Sequence, residues 1–103
     1  FSRVQTFLQQ ALPDEWLESL RALEQLDVQF IVPGHGEVTD KSYLKEQASI
    51  IRGWVEAARR SKASGLSVDE ALAQGVFRDP YPLDIGLNEA GLDLPRLNLT
   101  RLY

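Results

Sequence analysis

Apolar positions along the chain fall into helical spacing in two stretches and into one short, nearly unbroken run. From Pro13 or Asp14 to about Leu26, residues Trp16, Leu17, Leu20, Leu23 and Leu26 recur at intervals that gather them on one face of an amphipathic helix. Pro13 and Asp14 supply its start, because proline is tolerated in a first turn and a carboxylate there suits the helix dipole. The run Val28-Gln29-Phe30-Ile31-Val32 is different. It is β-branched and aromatic, Pro33-Gly34 ends it abruptly, and it predicts a short buried strand over 28–32. Asp27 falls in the tight link between the two, and helix, link, strand is half of an α/β unit.

Beyond Gly34-His35-Gly36, Thr39 or Asp40 is placed to cap a long helix reaching about Ala63. Its apolar positions Leu44, Ala48, Ile51, Val55 and Ala58 follow one another at intervals of 4, 3, 4 and 3, with Ile50 and Trp54 widening the stripe. Two to three heptads are too few to argue for a coiled coil, so a core-facing helix is the better reading. Gly65 closes it, and Ser67-Val68-Asp69-Glu70 reads as a capping box that opens a short helix through about Gln74. From Gly75 onward, Pro80, Pro82, Gly86, Gly91 and Pro95 break up longer elements. Asp79-Pro80-Tyr81-Pro82 is expected to be extended or turned, and Leu97 to Tyr103 to form a last helical turn or two.

Composition narrows the class. With 103 residues the chain is one domain or a piece of one, and 44% hydrophobic with 25% charged residues is the balance of a soluble globular protein. Eleven Lys and Arg against fifteen Asp and Glu, a net charge of -4, provide no basic field for a nucleic-acid backbone. No apolar run approaches the roughly 20 residues of a membrane span. The chain has no cysteine, which removes disulfides and thiolate metal sites. It also has no methionine and starts at Phe1-Ser2-Arg3, so it is read as a piece whose upstream residues were cut away. The compartment is therefore open, with the cytoplasm as default.

Candidate chemistry centres on the single histidine. His35 sits between Gly34 and Gly36 at the end of the expected strand, where glycines permit positive φ and close backbone approach. A transition-metal site needs three or four donors, and the chain has no second histidine to help complete one. The residues alone thus describe a well-placed ligand without partners.

A resemblance extends that reading. Trp16-Leu17-Glu18-Ser19-Leu20, Leu23 and then Ile31-Val32-Pro33-Gly34-His35-Gly36 resemble the C-terminal part of the metallo-β-lactamase superfamily of metal-dependent hydrolases. Lys41-Ser42, Leu44, Gln47, Ile50 or Ile51, Trp54 and Gly65 to Ala71 resemble the helices that follow its Pro-Gly-His-Gly turn. Asp79-Pro80-Tyr81-Pro82 and Asn98 to Tyr103 are similar to the tails of such proteins, and Phe1 to the residue after the turn that carries the family's bridging aspartate.

The resemblance implies an α/β fold, the C-terminal portion of the αββα metallo-β-lactamase sandwich, mostly helical here with one short strand near 28–32. Residues 1–103 would be a single incomplete domain whose N-terminal part is absent. It implies that His35 is the last histidine ligand of a dinuclear centre. The family's His-x-His-x-Asp-His motif, its middle histidine and its bridging aspartate match nothing in this sequence and would lie upstream of Phe1. Two metal ions, usually zinc with iron possible, would activate water for attack on an ester, thioester, lactone or amide of small-molecule size. A glyoxalase-II-like thioesterase and an iron-using persulfide dioxygenase are alternatives within the family. Residues 1–103 alone are expected to bind no metal, to catalyse nothing, and to self-associate or repack because their apolar faces lack a cover. The competing reading is a non-catalytic helical interaction module in which the Pro-Gly-His-Gly turn is purely structural. Trp16, Trp54 and Leu44 are read as core residues, and Tyr81 and Tyr103 are given no role.

Overall fold

A computed structural model describes residues 1–8, 10–81 and 91–103. These residues are mostly helical, with α1 at Pro13–Glu24, α2 at Lys41–Ala63, α3 at Val68–Ala73 and α4 at Leu94–Leu102. Strand pairing among them is limited to two isolated bridges, a parallel one between Ser2 and Gly36 and an antiparallel one between Ile31 and Thr39.

Each helix starts and stops for a local reason. Pro13 opens α1, with Asp14 and Glu15 in its first turn. The helix ends two residues short of the expected Leu26, because its last turn tightens. Gln25 donates to the Ala22 carbonyl and Leu26 to the Leu23 carbonyl, three residues back instead of four. Asp40 caps α2 by accepting from the Ser42 N–H at 2.8 Å. At the far end, Gly65 takes φ 77° and lets the Leu66 N–H return to the Ser61 carbonyl, closing the helix as its sequence implied. The capping box of α3 is complete, with Ser67 Oγ accepting from the Glu70 N–H and the Glu70 carboxylate accepting from the Ser67 N–H.

Helix α4 begins three residues before the expected Leu97. Pro95 was taken as a breaker, but it sits in the first turn, where its missing N–H would have had no partner anyway, and Asp93 caps by accepting from the Arg96 N–H. Of the extended stretch expected at 79–82, Pro82 lies outside the described residues, as does Gly86.

The strand expected over 28–32 does not form. Only Ile31 pairs, exchanging both backbone hydrogen bonds with Thr39 at 2.8 and 2.9 Å. Upstream, the Val28 N–H turns back to the Leu26 carbonyl, and among the described residues no strand lies beside Phe30 or Val32 to extend a ladder. A run suited to burial on both faces needs neighbours on both sides, and here it has one short neighbour.

Helix α2 is the spine, buried at Leu44, Ala48 and Ile51 on one flank and at Trp54 and Ala58 on another. Leu20 of α1 joins the first set, with Ile31 and Val55 partly buried against it. Leu8, Ala71, Phe77 and Leu99 join the second. This settles α2 as a core-facing helix and Trp54 and Leu44 as core residues, while Trp16 is half-buried between the two clusters. The Trp54 indole N–H is satisfied by the Arg78 carbonyl at 2.9 Å, and its ring lies 5.0 Å from that of Phe77.

Candidate functional site

His35 lies at the tip of a loop closed at its base by the Ile31–Thr39 pair. A second clamp holds the tip. The Ser2 N–H donates to the His35 carbonyl at 2.9 Å, and the Glu37 N–H donates to the Ser2 carbonyl at 3.3 Å. This crossing requires Gly36, which takes φ 96°, and a β-carbon built there would stand 2.0 Å from the Ser2 carbonyl oxygen. No other residue type fits, both for backbone conformation and for space. Gly34 differs, since a β-carbon there meets nothing within 4 Å.

The segment that crosses the loop is itself fixed by α2. Gln47 Nε2 donates to the Phe1 carbonyl at 2.7 Å, and the Arg3 N–H donates to the buried Tyr43 hydroxyl at 2.9 Å. Arg3 pays for this with φ 53°, the one positive φ outside glycine among the described residues, and its guanidinium lies over the Tyr43 ring. Burial raises the Tyr43 phenol above its ordinary pKa, so its hydroxyl stays protonated and neutral as an acceptor for the Arg3 N–H. The chain of constraint thus runs from the core through Tyr43 and Gln47 to Phe1–Arg3 and on to the His35 backbone.

The imidazole is exposed, yet its orientation is restricted. The Phe1 ring stacks on it with centroids 5.0 Å apart and planes within 13°, and Trp16 lies 6.2 Å beyond Phe1. No hydrogen bond joins either ring nitrogen to a described residue, which leaves both nitrogens available for coordination or for solvent. Phe1, Trp16, Leu20, Leu23, Ile31 and Leu44 line a cavity of about 270 Å³ beside this stack, so Trp16 is a cavity wall as well as a core residue. Ser2 is buried at the clamp, and its Oγ has no hydrogen-bond partner among the described residues.

What the arrangement offers chemically is one oriented nitrogen donor. Among the described residues no group of three or more His, Cys, Asp and Glu side chains converges to hold a metal ion. The structure therefore brings no second ligand to His35. Sequence reasoning missed Ser2, Tyr43 and Gln47 as the parts that immobilise the loop. Gly36 was the one available signal, since it pointed to a close backbone approach without identifying the approaching chain. Tyr81 and Tyr103, left without a role, make structural contacts: the Tyr81 hydroxyl donates to Glu46, and the Tyr103 hydroxyl donates to the Leu66 carbonyl at 3.1 Å.

No helix among the described residues is long and apolar enough to cross a membrane. No family model, no curated protein and no solved structure matches the chain.

Proposed function

We propose that this chain is the C-terminal portion of a metallo-β-lactamase-like, metal-dependent hydrolase, with His35 as one ligand of its metal centre. The αββα architecture belongs to this proposal, as do a zinc or iron cofactor and a small-molecule ester, thioester, lactone or amide substrate. The observation that carries it is the double clamp on the loop. An exposed imidazole with two unbonded nitrogens is held by a glycine that no other residue can replace, through a segment tied to the core helix. A purely structural turn needs the glycine and has no need to hold a polar ring outward against Phe1.

The residues present fit one corner of a metal site and no more, since a useful affinity needs further donors. In this reading those donors come from polypeptide preceding Phe1. His35 binds as the neutral imidazole, presenting a lone pair at one nitrogen while the other donates a hydrogen bond that fixes its tautomer. Phe1 limits rotation of the ring, which lowers the entropy lost when it coordinates. The metal, when bound, supplies acidification of water and polarisation of the scissile carbonyl.

The test is metal analysis by mass spectrometry on the longest natural polypeptide that contains this chain, with and without His35→Ala. The expected result is loss of at least one equivalent of metal together with hydrolysis. Unchanged stoichiometry and activity would reject the assignment. A coding sequence with no His-x-His-x-Asp-His ahead of Phe1 would favour the non-catalytic module.

A further inference from the structure

The ribbon that carries His35 has two unlike faces. Ile31 and Thr39 exchange both backbone hydrogen bonds, and their side chains turn toward the α1–α2 core, where Thr39 is buried and Ile31 partly so. Side chains alternate along extended backbone, so Phe30, Val32 and Val38 stand on the opposite face. They are 73%, 79% and 59% exposed, and Leu26 and Val28, which lead into the ribbon, are exposed as well.

Three observations bear on what meets this face. It is apolar on the side where a soluble protein normally places polar residues, which marks an interaction surface. It carries no ionised side chain from Val28 through Gly36, so an identical face meets no charge repulsion, and the run 28–32 lacks the lysine or proline that guards exposed strands elsewhere. Its area is of the right order: the five side chains expose roughly 500 Å² per chain, so two copies would bury roughly 1,000 Å² in all, the lower bound for a specific dimer.

We propose that, in the 103-residue chain, a second copy packs on the face formed by Phe30, Val32 and Val38, the two ribbons being related by a two-fold axis. A two-fold makes the same patch complementary to itself and closes the assembly at two. The pairing uses neither His35 nor a metal, so it stands or falls separately from the hydrolase reading.

Sedimentation velocity on the chain, from about 5 to about 500 µM, tests it across the range expected for so small an interface. The expected result is a concentration-dependent doubling of mass with no larger species. Phe30→Lys and Val32→Lys should each weaken association at least about ten-fold while leaving the helical circular dichroism unchanged, because both side chains are exposed. A monomer at the highest concentration overturns the proposal, as does association that Phe30→Lys leaves intact or assembly that continues past two. A monomer that binds a hydrophobic dye, and loses that binding in Phe30→Lys, would give the face to some other partner and equally reject the second copy.

Discussion

Asn98 is the most exposing place to test this account, because one buried side chain joins the two ends of the chain. Its amide donates from Nδ2 to the Thr6 carbonyl at 2.7 Å, and its Oδ1 accepts from the Leu8 N–H at 2.8 Å. Thr6, Leu8 and Asn98 are each no more than 2% exposed, so water has no ready access to replace a lost partner. A neutral hydrogen bond contributes about 1 kcal/mol net, and a buried group left unpaired costs about 1–3 kcal/mol. Asn98→Ala abandons one donor and one acceptor, which predicts a loss of about 2–4 kcal/mol, a large share of the roughly 5–15 kcal/mol of a typical domain. Urea unfolding followed by helical circular dichroism measures it. A loss below about 0.5 kcal/mol, the level of an ordinary surface change, would refute the bookkeeping.

Asn98→Asp sharpens the test. As a carboxylate, the new side chain presents oxygen to the Thr6 carbonyl and has no proton to offer, so at neutral pH it should cost at least as much as alanine. Below about pH 4 the protonated acid reproduces both hydrogen bonds. Burial raises the folded-state pKa of such a group, so its stabilisation is complete below the unfolded pKa and is lost as pH rises through the folded one. The deficit relative to wild type should therefore shrink on acidification, and a deficit independent of pH would refute the assigned geometry.

The other predictions concern single positions. Gly36→Ala should cost about 1–3 kcal/mol for its left-handed backbone alone. The clash with Ser2 should also expel Phe1 from His35, seen as loss of the ring-current shift on the imidazole protons by NMR. Gly53→Ala should act oppositely, raising the unfolding midpoint by the equivalent of about 0.5–1 kcal/mol, because Gly53 lies inside α2 and a β-carbon there meets nothing within 4 Å. Ser67→Ala should cost about 1 kcal/mol by opening the capping box of α3. The Glu70 carboxyl, held below its ordinary pKa by hydrogen bonds from Ser67, should stabilise the fold above its unfolded pKa and cease to as pH falls through the folded one. An NMR titration should find that low pKa in the wild type and its partial return in Ser67→Ala.

Local signals were legible in the sequence wherever the determining groups are near one another in the chain. Asp40, Gly65 and the Ser67–Glu70 pair terminate or start helices through bonds spanning two to five residues, and the spacing of Leu44, Ala48 and Ile51 placed α2 against the core. Pro95 was misjudged for a related reason: whether a proline breaks a helix or starts one depends on the cap before it, and Asp93 supplies that cap. For the candidate site, His35 and the need for Gly36 were readable, since a histidine between glycines at the end of an apolar run is a local pattern.

What only the tertiary structure decided was set by pairs far apart in sequence. The Ser2 clamp on His35, the Gln47 bond to Phe1, and Asn98 bridging Thr6 and Leu8 join residues whose separation no periodicity encodes. The run 28–32 shows the same limit from the other side. Its composition determined that those residues suit a strand, but a strand exists only where a neighbour accepts its hydrogen bonds, and along this chain only Thr39 does so for Ile31. Helical hydrogen bonds close within one segment and can be read there, whereas sheet pairing and site assembly depend on which distant backbone arrives alongside.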